Sequence, residues 1–398
     1  MSALPKNPFA PKMGMEPPLF AGRERALKDF KILLNGTGKS LLLYGLRGYG
    51  KTVMLNHMRD LARDYKDDQS PKRWVVSSRA AQAITPGMNF EHQAEIIALD
   101  LVEKIRPGSK ALQGLLKFAG SIEEMGAAGV TVKRQIATAR ASASAHQHIV
   151  DLFCEVAQLA KSRDCGVLLV FDELQALDPT SLSALLTALA VAPDKDQYFA
   201  MVAAGLPSVR AKCNAAFNSF DKLFEHEKLG DLTDAEVRQA LQKPAQDSGK
   251  PFSAEALARM QAIVRGYPYL VQFYGFWLWE DSAGSQITLE DLERLKPAIG
   301  SRLLETFYEP KWADSTKVAR RYLLAMAATS GLKANVKIAG LLGVAPNHTL
   351  RERTELLKAG LVYEVDDDEL DADMIALEFA YPFFGDYLRK EHPFRLAE

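Results

Sequence analysis

The chain has 398 residues, and its 49 lysines and arginines nearly balance its 50 acidic residues. A net charge of −1 excludes the strong basic field of many nucleic-acid-binding proteins, and a hydrophobic content of 47% fits a folded protein of two or three domains. The three cysteines lack motif spacing, and no apolar run reaches the roughly 18 residues of a membrane span. These observations argue against a disulfide framework, a zinc site and a membrane protein, and they predict a cytoplasmic location.

A glycine-rich loop follows the first predicted helix and strand. Residues 22–36 have a helical pattern that ends at Asn35 and Gly36, and an apolar strand begins at Ser40. Residues 45–52 then read Gly-x-x-x-x-Gly-Lys-Thr, the pattern of a phosphate-binding loop. Its glycines curl backbone N–H groups around phosphate oxygens, its lysine reaches the β- and γ-phosphates, and its threonine hydroxyl holds Mg²⁺. The predicted nucleotide-binding residues of this segment are Gly45, Gly48, Tyr49, Gly50, Lys51, Thr52 and Val53.

A second predicted strand ends in two acidic residues. The apolar residues 166–171 precede Asp172 and Glu173. Such a run is typical of a buried parallel strand, and acids at its carboxyl end lie in the crevice where open α/β sheets bind ligands. We predict that Asp172 orients Mg²⁺ together with Thr52, and that Glu173 polarises the attacking water as general base, with Lys51 as the other catalytic residue. The alternative is a strand that simply ends in solvated acids.

The first 230 residues are predicted to form an α/β core with a short extended segment before it. Strands near residues 73–78 and 198–205 alternate with helices, which predicts a parallel sheet covered on both faces. We assign residues 1–17 to an extended lead-in and 18–230 to the core. Residues 107–145 are rich in alanine, glycine and serine, and we predict an insertion or flap there with a strand pair around Val130.

The rest of the chain is predicted to be mainly helical. Helix-start patterns at Thr233, Ser253 and Thr288 predict a helical lid over residues 231–310. Aromatic residues between 273 and 279 are expected to belong to its core rather than to a base-stacking surface. Residues 311–398 follow the order helix, short helix, turn, helix and two-stranded hairpin, which is the outline of a winged helix-turn-helix.

The phosphate loop, the acid-bearing strand and the helical lid together resemble the AAA+ class of P-loop ATPases, and within it the archaeal-type, signal-transducing (STAND) and origin-recognition-type ATPases. Residues 18–24, Pro-Leu-Phe-Ala-Gly-Arg-Glu, resemble the Phe-x-Gly-Arg-Glu motif that lies beside the adenine in those families, and residues 266–268 resemble a Gly-x-Pro lid motif. The resemblance covers residues 18–310 and implies a three-layer α/β/α fold of the additional-strand class, with ATP and Mg²⁺ as ligands. It also implies nucleotide contacts from Phe20, Gly22, Arg23 and Pro268.

Two features depart from the pattern of those families. The strand before the lid ends in alanine and glycine at residues 203–205, where related ATPases place a polar sensor. Lys222 stands where an arginine acting on a neighbouring subunit is expected, and Arg210 is the other candidate. Hydrolysis is therefore expected to be slow or partner-dependent, because lysine lacks the bidentate fork of arginine. Arg47 and Tyr49 are interpreted as solvated residues of the loop tip, with compensation for the missing arginine as the alternative.

The winged helix suggests DNA binding, although it has a mainly basic segment followed by a strongly acidic one. Five basic and two acidic residues between 333 and 358 favour phosphate contact, whereas six acidic residues between 366 and 373 oppose it. Three functions stay open: an ATP-driven switch of lid and winged helix, an ATP-gated DNA-binding regulator or loader, and a nucleotide-locked scaffold with little hydrolysis. A protein partner or a second copy of the chain is the alternative to DNA as partner. The predicted DNA contacts are Arg351, Arg353 and Lys358.

Overall fold

A parallel sheet forms the centre of the N-terminal part of the protein. The computed structural model describes residues 6–36, 39–66, 73–77, 84–107, 145–192, 199–365 and 375–394, and the backbone of 122–123 and 133–134. Within these residues, five parallel strands pair in the order β2-β5-β6-β1-β7. The strands are β1 Ser40–Tyr44, β2 Trp74–Val76, β3 Ile122–Glu123, β4 Lys133–Arg134, β5 Gly166–Phe171, β6 Phe199–Gly205, β7 Phe224–Lys228, β8 Val362–Glu364 and β9 Leu377–Phe379.

Helices cover both faces of this sheet, because the strand residues are apolar on both sides. The helices of the core are α1 Glu24–Leu34, α2 Lys51–Asp64, α3 Phe90–Ile105, α4 Ala145–Lys161, α5 Pro179–Val191, α6 Val209–Ala216 and α7 Phe220–Leu223. One face packs with α1 and α2 through Leu41, Leu43, Leu168, Val170 and Val202. The other face packs with α3, α4 and α5 through Leu42, Val167, Leu169, Met201 and Ala203. The three-layer α/β fold predicted from the sequence is therefore confirmed.

The strand order brings the two motif-bearing strands to the same edge of the sheet. Strand β6 lies between β1, which precedes the phosphate loop, and β5, which precedes the two acids. This is the additional strand of the predicted fold class. Because all three strands are parallel, their carboxyl ends meet on one side, where the connecting loops form the crevice for a ligand.

The lid is a group of helices with well-defined starts. Thr233 and Thr288 form capping boxes with Glu236 and Asp291, and the Ser253 side chain accepts a hydrogen bond from the N–H three residues later. The lid helices are α8 Asp234–Asp247, α9 Ala254–Val264, α10 Pro268–Asp281 and α11 Leu289–Leu303. Of the aromatic residues between 273 and 279 in α10, Phe273, Tyr274 and Trp279 are buried in the core.

The C-terminal part has the winged-helix order of elements. Its helices are α12 Glu309–Ala313, α13 Lys317–Ala328, α14 Asn335–Leu342, α15 Leu350–Lys358 and α16 Phe384–Glu391. Strands β8 and β9 pair antiparallel as the hairpin. A π-helical segment, Leu304–Tyr308, joins α11 to α12 without a break, so the helical chain crosses the boundary that we predict near residue 310. The acidic residues 366–373 of the predicted wing lie outside the described residues, as do residues 1–5 of the lead-in.

The predicted flap at 107–145 lies almost entirely outside the described residues, Val130 included. Strands β3 and β4 pair antiparallel within it. Among the helices of the described part of the chain, none is long and apolar enough to cross a membrane.

Candidate nucleotide site

The phosphate loop connects β1 to the N-terminus of α2, as its sequence predicts. Gly48 and Gly50 have φ values of +82° and +84°, which residues with a Cβ atom rarely adopt. A Cβ atom at position 48 would also lie 2.1 Å from the hydroxyl oxygen of Tyr267. The loop therefore needs glycine both for its curvature and for close packing against the lid.

Lys51 lies inside the loop rather than in solvent. Its Nζ donates hydrogen bonds to the carbonyl oxygens of Gly45 and Leu46, at 2.8 and 2.9 Å, and the residue is only 5% exposed. Burial lowers the pKa of Lys51 to about 8, although the nearby acids Glu173 and Asp172 favour its charged form. An ammonium group in this position is suited to a phosphate, because it can form charge-assisted hydrogen bonds to the phosphate oxygens.

Thr52 and Asp172 form the second pair of the site. Thr52 Oγ1 donates to Asp172 Oδ2 at 2.6 Å, and Asp172 Oδ1 accepts from the N–H of Glu173 at 2.8 Å. Asp172 is 4% exposed, and burial raises its pKa. A buried carboxylate beside a hydroxyl oxygen is the ligand type that Mg²⁺ prefers, so this pair fits the predicted metal role.

Glu173 is tightly held by its neighbours. Its backbone has a φ of +56°, which is uncommon for a residue with a side chain. Arg47 Nη1 and Nη2 donate to its two carboxylate oxygens at 3.2 and 3.1 Å, and Gln175 Nε2 donates to one of them at 2.7 Å. Both oxygens of the predicted general base are therefore occupied in this structure.

The interpretation of Arg47 and Tyr49 as solvated residues is wrong. Tyr49 is 5% exposed, and its hydroxyl donates to Asp231 Oδ1 at 2.6 Å. The Arg47 side chain is 25% exposed and pairs with Glu173. The physical reason is that the lid and the winged-helix part pack over the loop tip, which the local sequence does not reveal.

The predicted adenine-side residues lie around the same cavity, with one exception. Arg23 is buried and donates to the carbonyl oxygen of Gly230 at 3.0 Å, and burial lowers its pKa. Phe20 contacts the His57 ring at a centroid distance of 4.6 Å. Gly22 is not among the lining residues: a Cβ atom there would lie 2.6 Å from the Glu236 carboxyl group. The predicted residues that line the cavity are Phe20, Arg23, Gly48, Tyr49, Gly50, Lys51, Thr52, Val53, Glu173 and Pro268.

Sequence reasoning missed several residues of the cavity wall. The predicted lead-in contributes two methionines, and the lid contributes polar and aromatic side chains next to Pro268. No motif marks these positions, because they come from segments far before and far after the phosphate loop and meet at the cavity only in the folded protein. The missed lining residues include Met13, Met15, Tyr269 and Gln272.

Gln175 supplies a polar group at the end of β6, where the sequence itself has only apolar residues. Its Oε1 accepts from the N–H of Leu206 at 3.1 Å, while its Nε2 donates to Glu173. Arg210 lies beside Asp221, with 3.8 Å between the charged groups. Lys222 belongs to α7 and is exposed.

The predicted DNA contacts are not equally available. Arg353 is 7% exposed, so its assignment as a DNA contact is wrong for this conformation, because α15 turns it into the protein. Arg351 is exposed on the same helix. Lys358 is exposed at the end of α15 and lines a cleft between the winged-helix part and the core. DNA contact stays a prediction for Arg351 and Lys358.

Two family models match parts of the chain. Residues 19–202 match the family described as AAA ATPase domain, and residues 305–388 match the Domain of unknown function (DUF8462). No curated protein matches the chain.

Similar solved structures include proteins from three organisms. Orc1 of Aeropyrum pernix in complex with DNA has 13% identity and a TM-score of 0.44, with 95% of this chain and 94% of that chain covered. Cdc6p of Pyrobaculum aerophilum has 14% identity and a TM-score of 0.44, with 96% and 98% covered. The RuvB Holliday junction branch migration motor of Thermotoga maritima has 15% identity and a TM-score of 0.42, with 94% and 96% covered.

The AAA ATPase match extends over the phosphate loop, the acid-bearing strand β5 and part of β6. The same region holds Lys51, Thr52, Asp172 and Glu173, which follow the carboxyl ends of β1 and β5, the two parallel strands on either side of β6. Residues 19–202 therefore match an AAA ATPase domain, and the phosphate loop and the order of the five strands agree with that match.

Proposed function

We propose that the protein binds Mg-ATP between the phosphate loop and the helical lid and hydrolyses it slowly, and that nucleotide state changes how the lid and the winged helix pack on the core. One observation carries the proposal. Lys51, Thr52 and Glu173 line one cavity with Pro268 of the lid, and Thr52 is hydrogen-bonded to Asp172. A cation, a hydroxyl–carboxylate pair and a second carboxylate are the groups that phosphoryl transfer to water requires.

Each of these residues has a distinct role in the proposed reaction. Lys51 would exchange the loop carbonyls for phosphate oxygens, and the loop N–H groups would orient the same phosphates. Thr52 and Asp172 would hold Mg²⁺, which when bound neutralises phosphate charge and orients the nucleotide. Glu173 would accept a hydrogen bond from the attacking water and polarise it.

The switch part of the proposal rests on direct contacts to the loop. The Tyr267 hydroxyl of the lid donates to the carbonyl oxygen of Arg47 at 3.0 Å. The N–H of Arg47 donates to the carbonyl oxygen of Ala380 in the winged-helix part at 2.9 Å. A nucleotide that moved the loop would therefore alter contacts with both units, which is the differential interaction that a ligand-driven switch needs.

ATP binding is tested first with Lys51→Ala. Loss of a charge-assisted hydrogen bond costs about 1.5–3 kcal/mol, so affinity for a fluorescent ATP analogue should fall at least about tenfold. Arg259→Met removes an exposed lid arginine paired with Glu293 and serves as the control that should bind normally. Wild-type affinity in Lys51→Ala would refute the site.

Hydrolysis is tested with Glu173→Gln. The variant should keep its ATP affinity and lose about 100-fold or more of its phosphate release, because a general base contributes that much. If phosphate release is unchanged, Glu173 is not the base, whatever the affinity shows.

A nucleotide-locked scaffold is the second candidate function. The observation that favours it is the occupation of both Glu173 oxygens by Arg47 and Gln175, which leaves the carboxylate poorly placed to polarise water. A stable oligomer that needs ATP and releases negligible phosphate would support this function. Sustained turnover by the protein alone would count against it.

An ATP-gated DNA-binding role is tested through duplex affinity with and without ATP, measured over a range of salt concentrations. Exposed Arg351 and Lys358 are the residues that would contact phosphates. No binding at low salt would remove this alternative.

A further inference from the structure

Arg47 joins three parts of the protein that are far apart in sequence. Its Nη atoms donate to both oxygens of Glu173 at 3.2 and 3.1 Å, and its Nε donates to the carbonyl oxygen of Gly360 at 2.9 Å. Its own N–H donates to the carbonyl oxygen of Ala380, and its guanidinium carbon lies 5.7 Å from the centre of the Tyr381 ring. We call this set of residues the Arg47 clamp.

The winged-helix part fixes the direction of the Arg47 side chain. Gly360 follows α15 with a φ of +64°, and a Cβ atom there would lie 2.2 Å from Arg47 Nη2. The turn after α15 is therefore shaped to accept the guanidinium group. Since the Gly360 carbonyl accepts from Nε, the same turn leaves the two Nη groups facing Glu173.

Within the Arg47 clamp, the guanidinium group occupies both oxygens of the Glu173 carboxylate, which the proposed reaction needs. A bidentate arginine–carboxylate pair is strong and geometrically specific, and this one is largely shielded, with side-chain exposures of 25% for Arg47 and 16% for Glu173. The arginine neutralises the charge with which Glu173 would polarise a water molecule. The third hydrogen bond, from Gln175, holds the carboxylate against the end of β6.

We propose that Arg47 is a positioning residue that holds Glu173 away from the attacking water while the winged helix is docked, and that release of the winged helix frees Glu173 for hydrolysis. The inference rests on the proposed function, because it assumes that Glu173 is the general base. Under this proposal the docked winged helix inhibits ATP turnover. Slow hydrolysis would then follow from the restrained Glu173, and the absence of a trans-acting arginine would not be needed to explain it.

The opposite role for Arg47 predicts the opposite result. A cation in the phosphate loop could instead stabilise charge on the γ-phosphate, and its removal would then slow turnover. If Arg47 instead restrains Glu173, as we propose, its removal should raise the rate of ATP hydrolysis. The sign of the change in kcat therefore separates the two.

The first test removes the guanidinium group from the phosphate loop. Arg47→Met should raise kcat for ATP hydrolysis by about tenfold or more with little change in KM, since a freed general base contributes 10²–10⁴-fold. Arg47→Lys keeps the charge but cannot make the bidentate pair, and should give a smaller rise. Arg47→Met combined with Glu173→Gln should show no rise, because the gain requires the freed carboxylate.

The second test approaches the clamp from the winged helix. Gly360→Ala places a methyl group against Arg47, and should raise kcat while Arg47 itself is intact. Gly343→Ala is the matched control, since Gly343 lies in the same unit with a φ of +68° and has open space at its Cβ position. Both variants place alanine at a positive φ and should lose stability in thermal unfolding, Gly360→Ala at least as much as Gly343→Ala, but only Gly360→Ala should gain turnover.

The outcomes separate failure of this inference from failure of the proposed function. If the wild-type protein does not bind a fluorescent ATP analogue, the proposed function fails and the inference fails with it. If it binds, but kcat in Arg47→Met is unchanged, lower, or still undetectable, the clamp does not limit turnover and the inference alone is overturned. A rise that persists without Glu173 overturns it as well.

Discussion

The unusual environment of Lys51 leads to a prediction about the pH dependence of nucleotide binding. Its pKa in the nucleotide-free protein is lowered to about 8 by burial, against 10.5 for an ordinary lysine. Only the protonated form carries the charge that binds phosphate. Affinity should therefore be nearly constant below pH 7 and should decline as the pH rises through 8, whereas for a solvated lysine the decline would begin only near pH 10.5.

The size of this decline follows from the protonated fraction. At a pKa of about 8, this fraction falls from about 0.9 at pH 7 to about 0.1 at pH 9, so the apparent Kd should rise about tenfold, or about 1.4 kcal/mol. Bound phosphate keeps the lysine protonated, so each further pH unit should weaken binding by up to tenfold until that bound pKa is reached.

The assay is a fluorescent-nucleotide titration in Mg²⁺ at several pH values between 6.5 and 9.5. Lys51→Arg is the control, because a guanidinium group stays charged over the whole range and should give a flat profile. A Kd of the wild-type protein that does not change between pH 7 and 9 would refute the reasoning, as would an equal slope in Lys51→Arg.

Three other substitutions test the loop, the lid and the junction with the winged helix. Gly48→Ala should abolish ATP binding, because its Cβ atom would lie 2.1 Å from the Tyr267 hydroxyl at a φ of +82°; wild-type affinity in the same titration would contradict this. Thr233→Ala should lower the free energy of unfolding by about 1 kcal/mol, since it removes the capping box with Glu236; an unchanged urea midpoint would count against the cap. Lys311→Met should raise Tm at pH 7, because burial lowers the pKa of Lys311 to about 8 and the folded protein binds this proton less readily than the unfolded chain. Since the wild-type protein gains stability as the pH rises from 8 towards 10.5, the advantage should shrink at pH 9.5, and an equal gain at both pH values would disprove this explanation.

Most helices and strands could be predicted from the sequence, because apolar periodicity and capping residues are properties of short segments. Helix α1, Glu24–Leu34, lies within the helical pattern that we predict over residues 22–36, and the caps at Thr233 and Thr288 begin lid helices. Strand β7 was not predicted. This strand, Phe224–Lys228, contains three charged residues and lacks the apolar run of the buried strands. Within the described sheet it is the edge strand next to β1, where charged side chains can reach solvent.

The sequence by itself determined the phosphate loop, the acids after β5 and the order of core, lid and winged helix, because each depends on residue types at fixed spacing. Only the tertiary structure decided what these groups contact. Arg47 and Gly360 are 313 residues apart, and their hydrogen bond exists because the winged-helix part packs on the loop. Arg353 looks like a surface cation in the sequence, yet the packing of α15 buries it. Spacing along the chain fixes the chemistry of a motif, whereas the surfaces that meet on folding decide whether that chemistry is exposed, blocked or shared.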